Sequence, residues 1–349
     1  MFDMSNSIRV GLMGFGRVGR NIIRQVHQRD DIDVVAISDL GDPESMAYLL
    51  SYDTIYHRFP VKVELEGKHL KAGRQRARLL KGARPDEMPW DAFGVDVVVE
   101  ATHHYRTRAD LQGHLDSGAG RVILSTPATD AIDRTIIHGV NHQSLRPEDR
   151  IISCGSSTTE VLGLILKILD DAFGVQRAMM TTVHAYTSDQ KLSDAVAGNL
   201  RRSRSAAQNL IPNWSWSPAV LMEIMPHLKG KVDGLAVNVP VPNGSNLDLV
   251  TQLRDGPDAT QVNDVVRRAA EAGYARWLEY AAEPLVSSDV IGNAHSAVFD
   301  SLATQALKGG LVKTLSWFDN GWGYAARIVE TIEALARFDG RAGGRETAS

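Results

Sequence analysis

Two groups of residues have types and spacings that chemistry could use. The first is the turn Gly14-Phe15-Gly16-Arg17-Val18-Gly19, with Asp39 following 20 residues beyond its last glycine. In such a turn the first glycine permits a tight reversal. The second lets backbone N–H groups approach a pyrophosphate, and the third lets helix and strand pack closely. The helix that opens there offers unpaired N–H donors and a partial positive charge to phosphates. An aspartate at this distance accepts hydrogen bonds from ribose hydroxyls and repels a 2′-phosphate, so the pattern points to NAD, with NADP tolerance left open. Phe15, Gly16, Arg17, Val18 and Asp39 are the expected contacts.

The second group is the turn Ser153-Cys154-Gly155-Ser156-Ser157-Thr158-Thr159-Glu160 and the histidine of Met180-Thr181-Thr182-Val183-His184-Ala185-Tyr186-Thr187. A hydroxyl-rich turn before a helix is ordinarily an N-cap, and a lone histidine in a strand is ordinarily a packed one. Neither assigns a function by itself.

The elements that must position these groups follow from periodicity. Ile8 to Met13 and Asp33 to Ile37 are short apolar runs flanking a helical pattern from Arg20 to Gln28, which reads as strand, helix, strand. Val95 to Val99 and Val122 to Leu124 continue the series, with a helix over Thr107 to Leu115 between them. After Ile151 a helix from about Thr159 to Phe173 precedes strand-like runs at Ala178 to Ala185, Val232 to Val239, Leu247 to Leu253 and Thr314 to Phe318. The fold class is α/β: a Rossmann doubly wound parallel sheet plus an α+β catalytic domain with a mixed or antiparallel sheet. The expected boundaries are 1–156 for the dinucleotide domain, 157–320 for the catalytic domain, a helix over 321–338 packing back on the first, and a frayed tail over 339–349.

At 349 residues the chain has room for two cores, and 43% hydrophobic with 23% charged residues is ordinary for a globular protein. A net charge of -4 gives no general attraction to nucleic acid or anionic lipid. The basic run Arg201-Arg202-Ser203-Arg204 reads as a solvated or subunit-facing loop. Cys154, the single cysteine, excludes an internal disulfide, and no Cys/His cluster has zinc spacing, so no metal is expected. There is no signal-peptide core and no stretch long enough to span a bilayer, so the expected location is cytoplasmic.

Taken together, these segments resemble the phosphorylating glyceraldehyde-3-phosphate dehydrogenase family, near its erythrose-4-phosphate dehydrogenase branch. The resemblance rests on Val10 through Arg20, Tyr52-Asp53-Thr54, the Ser-Ser-Thr-Thr turn, Thr182-Val183-His184, Asn209-Leu210-Ile211-Pro212, and Trp317 through Tyr324. In that family a cysteine attacks an aldehyde, a histidine acts as base, hydride passes to NAD, and phosphate releases the thioester as an acyl phosphate. The resemblance implies that His184 is the base. It implies cofactor contacts for Asp39, Thr102, Ser125, Asn320 and Tyr324, with Asn320 on the nicotinamide carboxamide. Ser156, Thr158, Thr187 and Arg202 would handle phosphate, and the implied assembly is a homotetramer.

The chain departs from the family where the chemistry is concentrated. The nucleophilic cysteine falls on Ser157, and Cys154 stands where asparagine is usual. A thiol with a pKa of about 8.5 becomes thiolate readily beside a histidine, whereas a serine hydroxyl needs a base during the attack itself. Losing a nucleophile elsewhere costs on the order of 10^6-fold in rate. The arginine for substrate phosphate becomes Asn238, and a Thr-Gly pair at the inorganic-phosphate site becomes Ser215-Trp216. Asparagine supplies neither the charge nor the fork of arginine. His103 replaces a usual glycine, Gly321 a usual glutamate, and Ala195-Val196 a Leu-Pro pair that supports NAD discrimination.

Two functions are consistent with this. One is an NAD-dependent dehydrogenase of a small aldehyde, phosphorylated or not, whose nucleophile has been replaced naturally or by design and which is inactive as written. The other is an NAD-binding non-catalytic paralogue with a regulatory or partner-binding role. A Ser157/His184 hydrolase is disfavoured because no carboxylate at recognisable spacing orients the histidine.

Overall fold

Ile8–Met13 forms a strand buried along almost its whole length, which suits the middle of a parallel sheet covered on both faces. It pairs in parallel with Ile32–Ser38 on one side and Val97–Glu100 on the other. In the computed structural model, which describes residues 7–82 and 84–340, these belong to a nine-stranded sheet. Its order is Arg134–Thr135, Ile151–Ser153, Arg121–Leu124, Val97–Glu100, Ile8–Met13, Ile32–Ser38, Gln75–Leu80, His69–Ala72, Val63–Glu66. Every pairing from Arg134–Thr135 to Gln75–Leu80 is parallel, and the last two are antiparallel. The doubly wound parallel sheet read from the sequence is present. The antiparallel hairpins were not legible because Glu64, Lys71, Arg76 and Arg78 interrupt any apolar run.

Chain order reverses about Ile8–Met13: the chain proceeds to Ile32–Ser38 on one side and crosses to Val97–Glu100 on the other. The carboxyl ends of strands beside such a reversal are where open α/β sheets bind ligands. Gly14, Asp39, Thr102 and Ser125 lie just beyond the carboxyl ends of four adjacent parallel strands.

The chain divides into two units. Among the described residues, the first takes those up to Ile136, Gln143–Gly155 and those from Ala325 to 340; the second takes Ile137–His142 and Ser156–Tyr324. The last helix runs Trp322–Phe338. The tail expected over 339–349 lies outside the described residues from 341 on, while the Asp339 carboxylate pairs with Arg121 at 2.5 and 3.0 Å.

The second unit is built on a seven-stranded mixed sheet, in the order Ile211–Trp214, Val232–Val239, Val175–Ala185, Ser245–Leu253, Leu311–Phe318, Ala297–Leu307, Leu278–Ala281. Ser245–Leu253 alternates strictly between buried and half-buried positions, the signature of a sheet with one covered face. Leu247, Leu249 and Leu253 join Leu162, Ile165 and Leu169 of the helix Ser157–Phe173 in the core. Three strands of this sheet escaped the sequence reading. Ala297–Leu307 did so because Asp300-Ser301 breaks its apolar pattern at an irregularity between Asp300 and Gln305. Asp300 is stabilised there by N–H groups of Leu302, Ala303 and the Trp317 indole.

Candidate active site

In the first unit the glycine turn has the conformation its sequence requires. Gly14 sits at φ 98°, where a Cβ would lie 2.9 Å from the Ala101 carbonyl. A Cβ on Gly19 would lie 2.5 Å from the Gly14 oxygen, so the helix Arg17–Val26 approaches the turn as only glycine allows. Gly16 is exposed, with nothing within 4 Å of its Cβ direction, and it precedes the first helical residue without a side-chain cap. That leaves an open cradle beside helix N–H groups, the form a pyrophosphate needs. Phe15 is buried, and Arg17 and Val18 are half-buried.

Asp39 has a part the sequence did not disclose. One carboxylate oxygen accepts the Phe15 N–H at 2.7 Å and the other the Gly41 N–H at 2.8 Å. It therefore ties the glycine turn to its own strand and still has lone pairs for ribose hydroxyls. Ser125 presents a buried hydroxyl that has no hydrogen-bond partner among the described residues, a polar atom suited to a bound group.

Thr102 is held by a buried chain that sequence reading missed. The Trp90 indole N–H donates to His114 Nδ1 at 3.0 Å, which assigns the imidazole proton to Nε2. His114 Nε2 then donates to Glu100 Oε2 at 3.2 Å, while Glu100 Oε1 accepts the Thr102 N–H at 2.7 Å and its hydroxyl. Trp90, His114 and Glu100 are completely buried. Next to Thr102, His103 takes φ 68°, a left-handed conformation that the family's glycine would adopt without strain. Cys154 is buried in this unit at 3.5 Å from the Thr331 hydroxyl, so it is not part of the Ser157 helix start.

In the second unit, Ser157 is the first residue of a 17-residue helix, half-buried at its amino terminus. Ser156 caps the helix, its hydroxyl accepting the Thr159 N–H at 3.1 Å. Around it lies a hydroxyl cluster: Ser156 to Thr159 at 2.8 Å, Ser156 to Ser217 at 3.3 Å, and Thr159 to Ser217 at 3.1 Å. Ser215 joins by accepting the Ser217 N–H. Thr159 and Ser217 were not singled out from sequence, since hydroxyls there carry no distinguishing pattern. Thr158 is buried in the first turn.

His184 lies near the end of Val175–Ala185, in register with Asn238 on the parallel neighbour. Its Nδ1 is 2.7 Å from the Ala185 carbonyl. A carbonyl only accepts, so Nδ1 carries the proton and Nε2 is the basic nitrogen. The ring meets Phe318 edge-on at 6.0 Å. Thr187 donates to Asp189, and Asp189 also pairs with Arg202, so this arginine is already engaged by a carboxylate. Arg204 pairs likewise with Asp194 at 3.0 Å. Trp216 precedes the helix Ser217–Ile224 and meets Trp214 edge-to-face at 4.3 Å, both indoles about half exposed.

Asn320 and Tyr324 belong to this second unit, with Ser157 and His184, rather than to the unit of the glycine turn. Asp319 fixes their loop by accepting the N–H groups of Gly321 and Trp322 at 2.8 Å and of Gly292 at 2.7 Å. Asn320 Oδ1 accepts the Ser245 hydroxyl at 3.1 Å. Among the described residues no His, Cys, Asp or Glu cluster could hold a metal ion, and no helix is long and apolar enough to cross a membrane.

The NAD binding domain of glyceraldehyde 3-phosphate dehydrogenase matches residues 8–108, and the C-terminal domain of the same enzyme matches residues 153–320. The glyceraldehyde-3-phosphate dehydrogenase of Mycobacterium leprae is 43% identical over 95% of this chain and 99% of its own length. Glyceraldehyde-3-phosphate dehydrogenase 1 of Streptomyces avermitilis is 41% identical over 93% and 97%. Glyceraldehyde-3-phosphate dehydrogenase 2 of Bacillus subtilis is 41% identical over 94% and 97%. The chain belongs to the glyceraldehyde-3-phosphate dehydrogenase family. NAD is its cofactor, and the open turn, Asp39 and the unpartnered Ser125 hydroxyl fit that group.

Proposed function

We propose that this glyceraldehyde-3-phosphate dehydrogenase family member is an NAD-dependent aldehyde dehydrogenase whose turnover is blocked at one atom, the oxygen of Ser157. The observation that carries this is the retained base: His184 has Nδ1 committed to the Ala185 carbonyl and so presents Nε2 as proton acceptor. NAD, when bound, supplies the hydride acceptor for aldehyde oxidation. Phe15, Gly16, Arg17, Val18, Asp39, Thr102, Ser125, Asn320 and Tyr324 would hold it.

The residues of the chain divide the remaining work. Position 157 is the point of attack on the carbonyl carbon, and His184 Nε2 takes the proton of the attacking group. The amide groups of the first helical turn face an oxyanion with their partial positive charge, worth about 0.3–1 kcal/mol in exposed settings. They lower a thiol's pKa usefully, but a hydroxyl starts too high for the same help to generate an alkoxide. Ser156, Thr158, Thr187 and Ser215 would donate hydroxyl hydrogen bonds to phosphate oxygens.

The substrate differs from glyceraldehyde 3-phosphate. Asn238 is neutral, Arg202 is paired with Asp189, and Trp216 brings an indole to the place of a glycine. These observations also support a second reading, an NAD-binding paralogue with a regulatory or partner-binding role. NADH formation by the Ser157→Cys protein over a panel of phosphorylated and unphosphorylated aldehydes, with and without phosphate, separates the two. Activity on any aldehyde supports the dehydrogenase. Silence on all of them, in a variant that binds NAD, supports the paralogue.

We read the assembly as a homotetramer. Trp214, Leu235, Met179 and Leu311 are exposed on one face of the second sheet, an apolar surface of the kind subunits cover. A monomeric mass by light scattering at micromolar concentration would contradict this.

A further inference from the structure

Ser245 stands at the start of the strand Ser245–Leu253, fully buried, between two strand ends that carry the site. On one side is Val175–Ala185, which ends just past His184; on the other is Leu311–Phe318, which leads into Asn320. Gly244, at φ 81°, makes this entry possible, since a Cβ there would lie 1.9 Å from the Ser287 carbonyl. The Ser245 oxygen accepts the Ala185 N–H at 3.0 Å. Its own proton goes to Asn320 Oδ1 at 3.1 Å, because a carbonyl-type oxygen accepts and does not donate.

The consequence is directional. A primary amide has one acceptor end and one donor end, and the two are exchanged by a flip of the side chain. With Oδ1 occupied by the Ser245 hydroxyl, the NH2 of Asn320 is the end left to donate to a further partner. With the hydroxyl proton spent, the Ala185 peptide is fixed by the oxygen's lone pair, and Ala185 is also the residue whose carbonyl orients His184. One buried hydroxyl thus engages Asn320 Oδ1 and anchors the His184–Ala185 peptide, one unit before the carbonyl that meets His184 Nδ1.

We infer that Ser245 is a positioning residue for NAD: it locks the Asn320 amide so that NH2 is offered to the nicotinamide carboxamide oxygen, while its oxygen anchors the peptide that follows His184. This rests on the reading of Asn320 as the nicotinamide contact. The test uses two ligands that differ only at that end, NAD and ADP-ribose, titrated calorimetrically against the full chain and its variants Ser245→Ala, Asn320→Ala, the double variant and Ser245→Thr.

Ser245→Ala should weaken NAD about five- to tenfold, the range of one buried hydrogen bond, and leave ADP-ribose unchanged. The double variant should be no weaker than Asn320→Ala alone. Ser245→Thr, which keeps the hydroxyl, should bind NAD within about twofold of the unaltered chain at equal ADP-ribose affinity. Equal loss of both ligands in Ser245→Ala would mark a merely structural role and overturn the inference. Unchanged NAD affinity in Ser245→Ala, with loss in Asn320→Ala, would overturn it while leaving the Asn320 reading intact. Unchanged NAD affinity in Asn320→Ala would remove that reading and this one together.

Discussion

Glu100→Gln should destabilise the first unit although it removes only a charge and no volume. Glu100 accepts at both oxygens: from Thr102 N–H and hydroxyl on one, and from His114 Nε2–H on the other. A glutamine that keeps its oxygen toward Thr102 sets its NH2 against His114 Nε2–H, donor facing donor. Moving the imidazole proton to Nδ1 relieves that clash but confronts the Trp90 indole N–H, which needs Nδ1 as acceptor. Either way one donor is stranded among side chains with no solvent exposure, at a cost of about 1–3 kcal/mol. With a urea slope of about 2 kcal/mol per molar, the midpoint should fall by about 1 M, read by circular dichroism. Trp90→Phe provides the decisive control, because it removes the donor that the shifted tautomer would strand. The double variant should cost less than the two single changes combined by about 1 kcal/mol. Additivity within about 0.3–0.5 kcal/mol, or a Glu100→Gln loss below about 0.5 kcal/mol, would refute the relay.

Gly19→Ala puts a Cβ 2.5 Å from the Gly14 oxygen, so the turn must move, and NAD affinity by calorimetry should drop about tenfold or more; an unchanged Kd would contradict the cradle. Asn238→Arg with Trp216→Gly, in the Ser157→Cys protein, should raise kcat/KM for a phosphorylated aldehyde at least about tenfold, the worth of a charge-assisted contact, while no gain would reject the substrate assignment. For Asp133, burial acts to raise the pKa, but the amides of Ile151 and Arg150 and the Arg108 guanidinium outweigh it and hold the carboxyl below its ordinary value. A depressed pKa stabilises above the unfolded value of about 3.9 and ceases to do so as pH falls through the folded value. Asp133→Asn should therefore lower the urea midpoint at pH 7, with the gap closing toward pH 3; a gap that persists there would contradict the assignment.

Much of the cofactor half was legible because its signals are local. Gly14, Gly16 and Gly19 announce backbone requirements no other residue meets, and the uninterrupted run Ile8–Met13 announces a buried parallel strand. Asp39 was found by its spacing, yet its bonds to Phe15 and Gly41 were not, since an aspartate's spacing does not disclose its backbone partners. The Trp90, His114 and Glu100 chain was invisible for a different reason. Its members are far apart in sequence, and each alone reads as an ordinary core or strand residue. Ser245 likewise matters only because strand order brings Ala185 and the Asn320 loop to either side of it. The resemblance implies a phosphate contact for Arg202, and its ion pair with Asp189, 13 residues earlier, carried no sequence signal.

The proposal that one oxygen at position 157 separates an NAD-binding protein from a working dehydrogenase is tested most directly by intact mass and NADH absorbance in a single turnover without phosphate. The Ser157→Cys protein, given NAD and a turned-over aldehyde, should gain one acyl group per chain with one equivalent of NADH, and His184→Ala in that background should suppress both. The unaltered serine protein should show neither. An NADH burst from the serine protein, or no acyl adduct on a Ser157→Cys protein that binds NAD, would contradict the account.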